Sequence, residues 1–121
     1  MTMANLKKNR LSTLLCCWVL FSLGIAGCGD SFDRQVGLSD LEDPNPTIRI
    51  MAIKWAGENK ITAALPQLVD SLQDEDPSVR FYAIEGLRRI TGTDNGYDYK
   101  AQAHERAASV ERWRELLNEK E

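Results

Sequence analysis

An all-α fold, a short solenoid of stacked helix pairs with a C-terminal capping helix, is what this sequence predicts, on three observations. Compared with itself, the chain matches at an offset of 31 residues, with Leu41-Glu42-Asp43-Pro44-Asn45-Pro46-Thr47-Ile48-Arg49-Ile50-Met51-Ala52-Ile53 lying over Leu72-Gln73-Asp74-Glu75-Asp76-Pro77-Ser78-Val79-Arg80-Phe81-Tyr82-Ala83-Ile84. A period of this length is the mark of a repeat array, whose units stack because none can bury its apolar face alone. Each copy opens on a capping residue followed by proline, Asn45-Pro46 and Asp76-Pro77. Beyond those starts the apolar residues recur at helical spacing.

The elements follow in order. The side-chain oxygens of Asn45 and Asp76 suit the N-cap position, and proline costs nothing at the first helical position, where its missing N–H has no partner to lose. In the first unit Ile48, Ala52, Trp55 and Ile53 fall on the buried side of a helix, and in the second Val79, Ala83, Leu87 and Ile90 do so with Ile84 to the side. Apolar positions on two sides of a helix imply burial between two neighbours. Gly57 and Gly92 are placed to end these helices as left-handed caps. A second helix of the first unit is expected from about Ala63 to Gln73, with Leu65, Leu68, Val69 and Leu72 buried and Pro66 in its first turn. Phe32 to Leu41 reads as the second helix of a half-repeat. After Gly92, Thr93 to Tyr99 forms a turn-rich connector. Ala103, Ala107, Val110, Trp113 and Leu117 then trace a closing helix whose other face mixes charges, as solenoid caps require.

These residues resemble HEAT-type repeats, the short variety of PBS-lyase-like proteins. The resemblance covers about residues 32–92 and implies a right-handed α-solenoid. Asp43/Arg49 and Asp74/Arg80 match the family's Asp and Arg, which the resemblance implies form a hydrogen-bonded ladder between successive repeats. Trp55 departs from the pattern, standing where a small residue is common, and the turn from Glu58 to Thr62 is long.

The first 27 residues belong to a different design. Lys7, Lys8 and Arg10 precede an uncharged apolar run, Leu11 to Leu23, and then Gly24, Ala26 and Gly27. That order is a secretory signal, and the run is short of the roughly 20 residues a membrane span needs. Ile25-Ala26-Gly27-Cys28 resembles the lipobox of bacterial lipoproteins at all four positions. The resemblance implies cleavage between Gly27 and Cys28, diacylglycerol on the Cys28 sulfur, and further acylation of the new amino group. One acyl chain holds a membrane marginally, with a constant of about 10⁴ M⁻¹, whereas two or three anchor stably. The expected organisation is a signal peptide over 1–27, a lipidated tether over 28–31, repeats over 32–92, and connector with capping helix over 93–121.

Loss of residues 1–27 leaves 94 of the 121 residues, one small domain, and shifts the formal charge from −3 to −6. An acidic surface is a poor match for nucleic acid. Cys16 and Cys17 leave with the signal and Cys28 is consumed by lipid, so the mature chain is expected to hold no disulfide, thiol nucleophile or thiolate metal site. No cofactor is expected beyond the covalent lipid.

No residue constellation points to catalysis or metal binding. His104 is the single histidine and, despite Glu105 and Glu111 nearby, has no nucleophile at a useful spacing. Asp70, Asp74, Glu75 and Asp76 lack the alternating ligands, glycine and distal glutamate of a calcium loop. Arg49 and Arg80 have the fork geometry for an anion, but their recurrence at the repeat period favours the ladder. Gln67, Asp70 and Ser71, on the polar side of the second helix, are the expected partner surface, joined by Tyr97 and Tyr99 on the connector, since aromatic residues are enriched among interface anchors. The expected function is therefore a non-catalytic interaction module. It would be lipid-anchored to the outer face of the inner membrane or to the outer membrane and would serve an envelope protein partner, with no small-molecule substrate. An accessory subunit of an envelope enzyme, or a lyase-like enzyme subunit, is the alternative.

Overall fold

Both repeat units start on the same local chemistry. Asn45 Oδ1 accepts the Thr47 N–H at 2.9 Å, and Asp76 Oδ1 accepts the Ser78 N–H at 2.8 Å. In the computed structural model, which describes residues 35–121, these caps open α1 (Pro46–Glu58) and α3 (Pro77–Thr91). The shorter α2 (Leu65–Ser71) lies between them, and α4 (Ala103–Asn118) closes the chain. Among the described residues there is no strand. The fold is all-α and solenoid-like, as the repeat predicted. The signal peptide, Gly27, Cys28, the tether and Phe32 lie outside the described residues.

α1 and α3, the first helices of the two units, pack side by side, and α2 packs on α3. Their shared core comprises Ala52, Ile53, Ala56, Leu68, Val69, Leu72, Val79, Ala83, Ile84 and Leu87. α4 adds Val110 and Trp113 and packs against α2. It therefore lies along the second helix of the first unit, where a second helix of the second unit belongs, as well as closing the stack.

The helix boundaries carry three corrections. Gly57 does not cap α1, which runs on to Glu58. The left-handed residue is Lys60, at φ 49°. The Lys60 N–H reaches the Gly57 carbonyl and the Ile61 N–H the Ala56 carbonyl at 2.9 Å, a Schellman ending with lysine in place of glycine. Gly57 instead serves packing: a Cβ there would meet Gly86 Cα at 2.9 Å. Gly92, by contrast, is the expected left-handed cap, at φ 83°.

Second, α2 is shorter than expected. Pro66 offers no N–H to the carbonyl a turn before it, so Thr62–Ala64 winds as a 3₁₀ turn, closed by the Leu65 N–H on the Thr62 carbonyl. At the other end Leu72, Gln73 and Asp74 donate three residues back, to Val69, Asp70 and Ser71, which tightens the last turn. Third, the described part of the expected half-repeat is not an α-helix. It is a 3₁₀ segment, Leu38–Glu42, entered by a turn in which Asp40 accepts the Gly37 N–H. Leu41 is buried from this segment, which packs on α1.

The glycine contact yields a stability test. Gly57→Ala overpacks the α1–α3 seam against backbone, and is expected to cost about 1–3 kcal/mol by urea denaturation. Gly37→Ala has open space at its Cβ position and serves as the control.

Candidate interaction surface

The repeat junction is held by two arginines one period apart. Arg49 Nε and Nη2 donate to Asp74 Oδ2 and Oδ1 at 3.0 and 3.1 Å, a bidentate bond across units. Its Nη1 donates to the carbonyls of Asp43 and Pro44, the loop opening its own unit. Arg80 repeats the second half of this pattern on the Asp74 and Glu75 carbonyls, at 2.7 and 3.0 Å. Among the described residues no aspartate side chain takes the place that Asp74 has for Arg49, and the Arg80 Nε donates to the Tyr99 carbonyl at 3.1 Å. Asp43 and Asp74 each accept the N–H of the capping residue two positions on. Arg49, Arg80, Asp43 and Asp74 thus all have structural work. Arg80 is buried, which leaves no open fork for an outside anion.

The expected partner face on α2 is largely covered. Ser71 is buried and its hydroxyl donates to the Gln67 carbonyl of its own helix at 2.9 Å. Gln67 is half-buried, with Oε1 enclosed and unpaired. Asp70 is exposed, but Arg114 of α4 reaches it at 3.1 Å. The correction has one cause: α4 packs on this helix, so the polar side expected to face a partner faces the end of the chain. Asp70 and Glu111 together hold the Arg114 guanidinium above its ordinary pKa.

The two connector tyrosines part company. Tyr97 is 7% exposed and its hydroxyl donates to the Leu72 carbonyl at the end of α2. It is a core residue, which removes it from the partner surface. Burial pushes its phenol pKa above the usual value. The tight turn before it explains the placement. Asp94 accepts the Gly96 N–H at 3.0 Å and the Arg88 guanidinium at 3.0 Å, contacts that hold its carboxyl below the usual range. Asn95 and Gly96 then turn the chain through positive φ.

Tyr99 is half-buried, packed against the edge of the core, in company the sequence reading missed. Its ring meets Phe81 edge-on, with centroids 5.2 Å apart, and Phe81 meets Tyr82 in the same way at 5.3 Å. Phe81 is 38% exposed and Met51, on the adjoining helix, 37%. Lys54 Nζ lies 5.7 Å from the centre of the Tyr82 ring and Lys100 Nζ 5.4 Å from that of Tyr99. Two shallow grooves flank the rings. One, of about 170 Å³, runs between α1 and α3 over Gly57 and Gly86 and is bordered by Lys54, Tyr82 and Arg89. The other lies among Pro77, Ser78, Phe81, Tyr82 and Tyr99. The signal was present in the repeat itself: Phe81-Tyr82 falls where the first unit has Ile50-Met51, so large apolar residues recur at positions the core does not fill.

His104 is exposed near the start of α4, and Glu105 beside it accepts the Gln102 N–H as part of the helix cap. Among the described residues no group of three His, Cys, Asp or Glu side chains is placed to hold a metal ion.

The paired caps, the recurring arginines and the side-by-side first helices are the features of one repeat class. The family model described as HEAT repeats matches residues 37–113, and the chain belongs to that family. The match extends past residue 92 through the connector and into α4, in keeping with the packing of α4 along α2. No curated protein and no solved structure matches the chain.

Tyr97 supplies a pH-dependent test. Tyr97→Phe removes one buried hydrogen bond and is expected to cost about 1 kcal/mol near pH 7, read from urea midpoints. Because the folded phenol pKa is raised, the wild-type contribution is intact below the ordinary value of 10.0. It is lost as pH rises through the folded value, since the unfolded chain releases its proton first. The stability gap between wild type and Tyr97→Phe should narrow over that alkaline range.

Proposed function

We propose that this protein is a non-catalytic HEAT-repeat interaction module of the bacterial cell envelope, held at a membrane by lipid on Cys28. The observation that carries the interaction reading is the aromatic strip on the repeat stack, in which Phe81 is exposed and Tyr82 and Tyr99 are half-buried beside it. Isolated exposed apolar side chains are ordinary, but a contiguous cluster with polar borders marks a contact surface. Family membership supports the same reading, because stacked helix pairs offer extended surfaces to partners. The anchoring reading rests on the lipobox sequence Ile25-Ala26-Gly27-Cys28. The partner is then an envelope protein, reached without a cofactor or small-molecule substrate, from either the inner or the outer membrane.

Two measurements test the two halves separately. Cys28→Ser is expected to abolish labelling by a radioactive fatty acid and to stall or release the precursor. A wild-type chain that takes up no fatty acid overturns the anchor. For the module, a photo-crosslinker at position 81 in the membrane-bound chain is expected to capture one defined envelope protein, and Tyr82→Ser to weaken that capture. Lys120→Ala, at an exposed distant position, should leave it unchanged.

A further inference from the structure

We infer that the face carrying the aromatic strip, formed by α1 and α3, takes a second copy of this chain across a two-fold axis along the seam between the two helices. The inference rests on the interaction reading above and names the partner.

Charge on this face is arranged in a pattern that matches itself. The contacts climb α1 and α3 together, with Lys54 at the Tyr82 ring, Gly57 at Gly86 and Glu58 at Arg89, so the helices run side by side in the same direction. Lys54 and Glu58 stand about one turn apart on α1, and Glu85 and Arg89 about one turn apart on α3. These are equivalent positions of the 31-residue repeat with the signs reversed: Lys54 corresponds to Glu85, and Glu58 to Arg89. The four charges form a square with like signs on its diagonals. Turned over about the seam, the square sets each charge on its opposite, Lys54 on Glu85 of the second copy and Glu58 on its Arg89. Glu85 now lies 2.8 Å from Arg88 and Glu58 3.7 Å from Arg89; exposed pairs of this kind hold weakly, so the charges can re-pair. Beyond the square, Arg88 also bonds Asp94 at 3.0 Å and Lys100 stands two residues from Asp98, which keeps the face neutral. A chain with 18 acidic and 15 basic residues repels its own copies overall. On this balanced face two copies can approach without that repulsion.

The same rotation lays apolar residues on apolar ones. About one turn before the charges, Ile50 and Met51 on α1 are the repeat equivalents of Phe81 and Tyr82 on α3. Met51 and Phe81 are two of the three large apolar side chains exposed among the described residues. Phe81 of each copy lies over Ile50 and Met51 of the other, so one patch serves both sides, as an isologous contact requires. At 1.5 Å per residue α1 is about 20 Å long. Two helices about 10 Å apart then offer on the order of 400 Å² per copy, half of the roughly 800 Å² per partner in a stable complex. The pair is therefore weak in free solution and forms when both copies are held on one membrane. A two-fold axis normal to that membrane sets both chain starts at one height, as two chains anchored in one leaflet require.

The test uses the purified full chain on phosphatidylcholine vesicles, with a benzophenone photo-crosslinker at position 81. Illumination is expected to give a covalent dimer on denaturing gels, with the crosslink mapped by mass spectrometry to Ile50 or Met51. Lys54→Glu alone and Glu85→Lys alone each create two like-charge contacts in the pair. Each should cut the dimer yield about tenfold with the helical circular dichroism unchanged. The double variant Lys54→Glu, Glu85→Lys makes the signs opposite again and should recover the wild-type yield. An equal mixture of the two single variants should crosslink one variant to the other. Docking about an axis across the helices would set Lys54 on Glu58 and leave the double variant as poor as the single ones, so failure of the rescue overturns the inference. So does absence of a dimer from the purified chain. If position 81 then captures a different envelope protein in native membranes, the interaction module stands without self-docking; if it captures nothing there either, both readings fall.

Discussion

Everything in this small stack depends on the Arg49–Asp74 bond, because it joins the two units at the point where each changes direction. One guanidinium gathers the carbonyls of Asp43 and Pro44 and the carboxylate of Asp74. Asp74 in turn fixes the N–H of Asp76, which caps α3. A single side chain therefore sets the start of one helix relative to the start of the next. The pair is largely enclosed, with side-chain exposures of 18% and 14%. Charge-assisted, bidentate bonds of this kind carry geometry as well as energy. The desolvation they require is offset only when the remaining polar groups are also satisfied, which the surrounding carbonyls and N–H groups accomplish.

The next constraint is how two units avoid an open end. In a longer array, Arg80 would meet an aspartate of a third unit. Here the connector bends back through the Asp94–Gly96 turn, sends Tyr97 into the core, and offers the Tyr99 carbonyl to Arg80. The same excursion brings α4 onto α2, so the chain completes its second pair late, after a loop, rather than by a short turn. Closing the end in this way has a consequence for the surface. The connector that buries Tyr97 leaves Tyr99 half-buried against Phe81, and the aromatic strip is completed from the cap in this way.

What could be read from the sequence was whatever repeats or obeys helical spacing. The caps at Asn45 and Asp76, the core at Ala52, Ile53, Val79, Ala83 and Leu87, the αL ending at Gly92 and the ladder arginines all follow from local chemistry or from the 31-residue period. What could not be read was tertiary. Gly57 has the composition of a cap, yet it is needed for the close approach to Gly86, and Lys60 takes the strained turn instead. Ser71 and Gln67 look polar and available until α4 is placed over them. Tyr97 and Tyr99 are two residues apart in one loop and indistinguishable by type; only the direction of the turn before them separates a core residue from a surface one. Phe81 and Tyr82 were legible in principle, as large side chains one position off the buried stripe.

A strip of three rings is a small surface, and small surfaces bind weakly because the cost of immobilising two partners is nearly independent of area. The proposed lipid on Cys28 changes that arithmetic. Confining both the module and an envelope partner to one membrane replaces a search in volume by a local encounter, raising effective concentration without adding a contact. A weak, fast-exchanging site is then sufficient, and a large apolar interface is unnecessary. That in turn fits a domain whose apolar side chains are nearly all spent on its own core, with Phe81, Met51 and Leu38 the large ones left exposed among the described residues. On that proposal anchor and surface would solve one problem from two ends: the lipid would supply proximity, and the rings the contact made with whatever is brought near.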